Sequence, residues 1–328
     1  MNPIHVKFLR CPRSGTALSI RPLVTEAGRV REGMLVSSDG QYEYPIRNFI
    51  PRFVEAANYA ATFGFQWLKH NNTQYDEHSG TNASEKRFFE ESRWPRKLRG
   101  EVILEAGSGA GIFTEHAANT GAMVISFDYS VAVEANYAHN GHRENLLLVQ
   151  ANIFAMPFDG SYFDRVICIG VLQHTPDPRR AFDCLAHVLK GGGALCVDIY
   201  RVSPMTLTKY MVRPYTRTIE SQALYEWCER HVERMWVVAR LVRRIPRIGP
   251  YLNWLLLVAD YSAWYTMDDA KLKQWAVLNT FDMLSPRYDK PRNCWTVRRW
   301  FTKAGFACID VHNGYNGVEG RGTKPKLL

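Results

Sequence analysis

The chain has 328 residues, 46% of them hydrophobic, enough for one large or two small domains with a sizeable core. Its seven cysteines are odd in number and scattered, which reads as reduced structural thiols in a cytoplasmic protein. Lys7, Arg10 and Arg13 break up the first apolar residues, so no secretory leader is expected, and the apolar run Leu255 to Ala259 falls well short of the roughly 20 residues of a membrane span.

Residues 1–55 read as a small β module. The stretch Cys11-Pro12-Arg13-Ser14, with Tyr44 to Pro51 later, resembles a zinc ribbon in which Ser14 replaces the second cysteine. The next cysteine is Cys168, inside an expected core strand, so four ligands cannot be gathered locally. The module is therefore expected to hold no metal and to rest on its own small core. Residues 56–100 form an aromatic, helical segment with Phe63-Gly64-Phe65-Gln66-Trp67 near its start.

From residue 101 the pattern changes to short apolar strands alternating with helices. Val102 to Ala106 reads as a buried parallel strand, followed by the turn Gly107-Ser108-Gly109-Ala110-Gly111. Such a turn lets a ligand approach backbone. A dinucleotide fingerprint needs its third small residue at position 112, where this chain has Ile112. Glu105, two residues before the first glycine, repels a pyrophosphate but attracts an ammonium. A second strand (Ala122 to Phe127) ends at Asp128, 17 positions after Gly111, where a carboxylate can accept both hydroxyls of a ribose. A third strand (Leu146 to Val149) leads to Asn152-Ile153. A fourth (Phe163 to Ile169) leads to Gly170 and His174. A helix from Arg180 to Leu189 is expected to stop at Gly191-Gly192-Gly193, and a fifth strand follows from Ala194 to Tyr200.

The glycine turn resembles motif I of the class I S-adenosylmethionine-dependent methyltransferases, and the later segments follow in that family's order. The fourth-strand histidine is similar to that of the quinone-biosynthesis branch. The resemblance implies a Rossmann-like, doubly wound sheet of seven mostly parallel strands, the seventh antiparallel. It implies S-adenosyl-L-methionine as cofactor, held by Trp67, Glu105, Gly107, Ser108, Gly109, Asp128, Tyr129, Asn152, Ile153 and Gly170. Asn152 stands where the family has Asp, and an amide oxygen can still accept a bond from the adenine amino group. In relatives, a Phe-Gly-x-Gln-Trp segment caps the cofactor; packing the first helix onto the sheet would demand the same residues.

Residues 201–275 interrupt the alternation as a long helical insertion, which the resemblance casts as a lid over the acceptor. Between Arg201 and Arg247 ten bases face four acids, interleaved with Trp227, Trp236, Val237, Val238, Leu241 and Val242 in an amphipathic pattern. Three readings stand: a solvated face, an attractor for an anionic acceptor, or a peripheral membrane contact through 201–250 near a lipid-linked acceptor. Residues 101–200 and 276–328 make up the catalytic domain. Within it a helix is expected from Thr296 to its stop at Gly305, then a sixth strand (Ala307 to His312) and a seventh near Arg321 to Pro325.

Methyl transfer requires alignment, and a base only where the acceptor must lose a proton. His174 is the first candidate base, with Asp198 and Tyr200 at the end of the fifth strand. His312 and Tyr315 are expected farther off, and Asp282, Arg287 and Tyr288 are candidate acceptor contacts. The leading expectation is O-methylation of a sugar, glycolipid precursor or secondary metabolite. The alternatives are an RNA base methyltransferase, which a steep salt dependence would reveal, and a cofactor-binding partner subunit without activity.

Overall fold

A computed structural model describes residues 1–55, 58–262, 265 and 267–326. The expected start of the cap at residue 56 and the end of the catalytic domain at residue 328 lie outside these.

The N-terminal module is a four-stranded antiparallel sheet, β1 (Leu18–Glu26), β2 (Arg29–Ser37), β3 (Glu43–Arg47) and β4 (Ile50–Pro51), paired in that order. It does not rest on a core of its own. Phe8, Leu9 and Leu35 belong to the same buried cluster as Leu147 and Phe163 of the main sheet. Backbone also crosses the junction, with Arg10 N–H donating to Pro157 O at 2.8 Å and Phe53 N–H to Gln150 O at 2.9 Å. A nearly buried Arg52 pairs with Glu134 and donates to Gln150. The Cys11 thiol lies 3.3 Å from the Tyr44 hydroxyl and accepts from Ser14 N–H, so hydrogen bonds occupy the knuckle. Among the described residues no cluster of three or more His, Cys, Asp or Glu is placed to hold a metal.

The central sheet contains β5 (Val102–Ala106), β6 (Met123–Asp128), β7 (Leu146–Gln150), β8 (Phe163–Cys168), β9 (Leu189–Ile199), β10 (Ala307–Asn313) and β11 (Val318–Thr323). Their order is β10-β11-β9-β8-β5-β6-β7. β5 to β9 run parallel, and β11 enters antiparallel between β9 and β10. This is the Rossmann-like, doubly wound arrangement. The central strands β5 to β7 are largely apolar because helices cover both faces of the sheet: α4 (Ile112–Asn119), α5 (Val133–Asn140), α6 (Pro178–Val188) and α11 (Cys294–Lys303) among them. Two helix starts are built by side chains. Asp177 accepts from the N–H groups of Arg179 and Arg180 at α6, and Asn293, rather than Thr296, caps α11.

The triple glycine does not stop a helix. α6 ends at Val188 because Leu189 turns extended and is fully buried, so β9 begins there and Gly191 to Gly193 lie within it. Gly192 adopts φ +86°, which only glycine takes easily, and its N–H donates to Lys324 O of the chain leaving β11.

The cap comprises α1 (Ala61–Lys69), α2 (Asp76–Ser79) and α3 (Ala83–Ser92). The lid comprises α7 (Leu207–Thr216), α8 (Ser221–Arg243), α9 (Gly249–Leu255) and α10 (Asp269–Leu284). α10 runs through the boundary expected at 275, because Phe281, Met283 and Leu284 pack on Leu224, Tyr225 and Cys228 of α8. Val232, Trp236, Leu272 and Ala276 close a second cluster between the same two helices. The lid is bolted to the cap where His70 meets Tyr225 OH at 2.8 Å and Trp275 donates to Thr73 O at 2.8 Å.

Candidate active site

A cavity of about 620 Å³ opens at the carboxyl ends of β5, β6 and β8, beneath the cap and lid. That volume lies within the usual range for small-molecule sites, roughly 300–1,000 Å³. The strand order reverses beside β5, where open parallel sheets collect their ligands.

One wall is the glycine turn. Gly107, Gly109 and Gly111 have φ of +79°, +53° and +97°, the left-handed region that side chains resist. A Cβ at Gly107 would collide with Val171, and one at Gly111 with Asn136. Gly109 lies under the Trp67 indole, so the cap packs directly on the turn. Asp128 closes it: Oδ2 accepts from Gly109 N–H at 2.9 Å, and Oδ1 accepts from Ser130 N–H and Oγ at 2.7 Å each. Burial raises its pKa above the ordinary carboxylate value, and these bonds oppose the rise.

Of the residues expected to hold the cofactor, Trp67, Gly107, Ser108, Gly109, Asp128, Tyr129, Ile153 and Gly170 line the cavity. Glu105 and Asn152 do not. Glu105 is buried beneath the turn, its Oε2 accepting from Thr114 at 2.5 Å and Ser126 at 2.7 Å, and burial pushes its pKa up to about 7. Its Oε1 and the Ser108 hydroxyl have no hydrogen-bond partner among the described residues. Asn152 folds its oxygen back onto Phe154 N–H at 2.9 Å, closing a turn of its own chain, so the amide is not offered to a ligand.

The expected base is in the cavity wall. His174 is 6% exposed, with its ring against Phe63 (4.8 Å between centroids) and Tyr200 (5.3 Å). Its Nδ1 is 3.0 Å from Tyr288 O, and its Nε2 has no partner among the described residues. Burial lowers its pKa, partly countered by Asp282 and Asp289. Tyr200 also lines the cavity and donates to Asp282 at 2.9 Å; burial and that carboxylate hold its phenol well above the ordinary value.

Asp198 is not in the wall. Its Oδ1 accepts from Gly170 N–H at 2.5 Å and its Oδ2 from Arg87 at 2.7 Å, while Arg87 also bonds Glu91 at 2.6 Å. Strand alternation would put Asp198 on the same side as Tyr200, two positions on; Arg87 and Gly170, which claim its two oxygens, keep it out of the wall. Tyr315 reaches the cavity from the β10–β11 loop, contrary to expectation, whereas His312 pairs with Asp310 and Glu319.

Several lining residues carried no signal in the chain. Arg87 comes from the cap, Lys209 from α7, and Tyr251, Trp254 and Trp275 from α9 and α10. Each looks like an ordinary amphipathic-helix residue until the lid folds over. Lys209 is nearly buried and paired with Asp289. The aromatic excess between residues 251 and 275 was the one available hint.

Residues 104–197 match the family described as "Methyltransferase domain". The chain is 33% identical over 101 residues to the ubiquinone biosynthesis O-methyltransferase of Coxiella burnetii (strain RSA 493 / Nine Mile phase I), covering 30% of this chain and 43% of that protein. It is 30% identical over 113 residues to the demethylmenaquinone methyltransferase of Clavibacter sepedonicus, covering 34% and 46%. The chain thus spans under half the length of these curated relatives. Among solved structures, phosphoethanolamine N-methyltransferase 2 of Haemonchus contortus with S-adenosyl-L-methionine aligns at 18% identity and TM-score 0.41, covering 78% of this chain and 43% of that one. Human N-acetylserotonin methyltransferase aligns at 14% and 0.41, covering 82% and 57%. The fold rests on the strand order rather than on these likenesses. Glycine turn, ribose-type acid and strand order agree with the matched segment: from Leu104 to Val197 the chain carries the methyltransferase domain of the class I S-adenosylmethionine-dependent family.

Proposed function

We propose that the protein transfers a methyl group from S-adenosyl-L-methionine to the hydroxyl of an uncharged, aromatic small molecule. The observation that carries this is His174: a base with one bare nitrogen, in the same cavity as the glycine turn and Asp128.

The cradle fits the cofactor. A turn that would close on any Cβ, two partnerless polar atoms at Glu105 and Ser108, and a buried acid after β6 are what a cationic nucleoside needs. Gly107 and Gly109 would meet it with backbone, Asp128 would take its ribose, Tyr129 and Ile153 would flank its base, and Trp67 would cover it. Glu105 lies beneath the turn rather than in the cavity wall, and an ammonium above the turn would favour its ionised form. When bound, the cofactor supplies a methyl group activated by a neighbouring sulfonium.

The chain's own residues do the rest. Tyr288 O accepts only, so the proton of a neutral His174 resides on Nδ1 and the lone pair on Nε2. A histidine of lowered pKa is a weak base. It matches a phenol, with pKa about 10, better than an aliphatic alcohol. Tyr251, Trp254, Tyr261 and Trp275 provide flat apolar walls that suit an aromatic ring. Arg87 and Lys209 are already neutralised by Asp198, Glu91 and Asp289, which argues for an uncharged acceptor. Cap and lid residues line the cavity together, a cover that would limit the access of water competing for the methyl group.

Two measurements test the reading. Calorimetric titration with S-adenosylhomocysteine should show one site. Labelled methyl transfer should then proceed on simple catechols and not on free sugars. Transfer to sugars alone would overturn the acceptor class, and no titration would overturn the activity.

A further inference from the structure

Eleven of the seventeen exposed large apolar side chains among the described residues fall between Val202 and Tyr251, on the lid. The second half of α8 concentrates them. Helical spacing places Arg230, Arg234, Val237, Leu241 and Arg244 on one outward stripe within about 80°, given 100° per residue. Val237 is 66% exposed and Leu241 57%. The opposite face, with Val232, Trp236 and Ala239, packs into the lid core. Within the expected amphipathic pattern, Trp236 goes inward, while Val237, Val238 and Leu241 go outward among arginines.

Beyond Glu233, which pairs with Lys273, the charge on this face is one-signed. From Arg234 to Ala259 there is no Asp or Glu and there are five arginines. Arg240 pairs with Asp269, and Arg243 stands 3.8 Å from Asp260. Arg234, Arg244 and Arg247 are exposed, with no ion pair among the described residues. The turn after α8 adds Ile245 and Ile248, 42% and 53% exposed. Aliphatic side chains able to enter a headgroup layer, alternating with arginines able to reach phosphates, are the chemistry of an interfacial helix. Among the described residues no helix is long and apolar enough to cross a membrane, so the element would lie on the surface rather than span it. The face also reaches the cavity: Tyr251 of α9 is both half-exposed and part of the cavity wall.

We propose that the α8–α9 face of the lid docks on an anionic lipid bilayer, which sets the Tyr251 side of the cavity at the interface. An apolar acceptor dissolved in the bilayer could then enter without crossing water. The docking itself does not depend on the methyltransferase reading, because it follows from the face alone.

Sedimentation of the whole chain with vesicles tests it. The protein should pellet with phosphatidylcholine–phosphatidylglycerol vesicles and far less with phosphatidylcholine alone, and added salt should weaken the first. Each uncompensated arginine contributes roughly fivefold to partitioning, so Arg234→Gln with Arg244→Gln should lower it about 25-fold. Leu241→Asp should lower it as well. These side chains are exposed, so thermal melts and S-adenosylhomocysteine titration should stay at the wild-type values, which separates a docking defect from a failed fold or cofactor site. Equal pelleting with both vesicle types, or full binding by the two variants, would overturn the proposal. So would a wild-type dimer that Leu241→Asp dissolves and that ignores vesicles, since the face would then serve a second copy of the chain. Retention on RNA with no vesicle binding would overturn it too.

Discussion

His174 Nδ1 sits 3.0 Å from the carbonyl oxygen of Tyr288, a residue of the strand-like strap that returns from the lid to the sheet. The strap is fastened on both sides. Lys290 N–H donates to Gln173 O, Arg292 N–H to Tyr200 O, and Arg213 to Met283 O and Pro286 O. Asp289, one residue on, pairs with buried Lys209 of α7. The strap from the lid therefore fixes both the orientation and the tautomer of His174 in the turn after β8, a coupling between elements more than 100 residues apart in sequence.

Replacing the base tests its role directly. His174→Gln should lower kcat by about 10²- to 10⁴-fold while leaving S-adenosylhomocysteine affinity within a few-fold of wild type. In the wild type, kcat/KM should rise with pH and level off below the ordinary histidine range, because burial keeps His174 neutral to lower pH. The variant should lose that acidic limb. Steady-state kinetics across pH decide it, and an unchanged kcat would remove His174 from the chemistry.

Asp198 should behave as a structural group. It is fully buried and holds Arg87 and Gly170. Asp198→Asn leaves the Arg87 charge with Glu91 alone, and breaking a buried pair costs about 3 kcal/mol. Urea unfolding should report that loss, while kcat per folded molecule should stay within a few-fold. A thousandfold drop in kcat with normal stability would restore the catalytic assignment.

The glycine turn tolerates no side chain at its first position. Gly107→Val meets Val171 and forces a branched residue to φ +79°. Strain and overpacking of this kind each cost roughly 1–3 kcal/mol, so cofactor affinity should fall on the order of 100-fold or more. Calorimetric titration of the folded variant measures this. Normal affinity would mean that the cofactor pocket lies elsewhere.

Acid should loosen the lid. His70 is buried where α1 meets α8, bonded to Thr73 and Tyr225, and burial with the Lys69 charge lowers its pKa to about 4. The unfolded chain takes up the proton near pH 6.5, so the contribution is fully present above that value. It is lost as pH falls from about 6.5 to about 4, up to about 3 kcal/mol. Urea midpoints across this window should decline in the wild type. His70→Gln should start lower and decline less, and parallel declines would assign the acid sensitivity to other groups.

How much was readable beforehand follows from what kind of interaction sets each feature. The β5 turn, Asp128 and the strand alternation were legible because they are local: a glycine needs its φ within one turn, and a strand shows its burial as a continuous apolar run. The positions of His174 and Tyr200 were legible for a related reason, since each follows the carboxyl end of a parallel strand, His174 in the short turn after β8 and Tyr200 directly after β9. Asp198 misled because its position near the end of β9 says nothing of Arg87, which a helix over 100 residues earlier brings to it. Glu105 and Asn152 misled more subtly: the chain places Glu105 before the turn and Asn152 just after β7, but nearby hydroxyls and a backbone N–H claim their oxygens. The triple glycine imitated a helix stop until Leu189, buried in the core, set the start of β9.

The sequence by itself determined the sheet and the glycine turn, because short-range backbone preference and hydrophobic period decide those. Only the tertiary structure decided the aromatic walls around the acceptor space, the tautomer of His174 and the outward turn of Val237 and Leu241. Those depend on which face of each lid helix finds an apolar partner, and that choice is made when α8 and α10 pack together rather than by either helix alone.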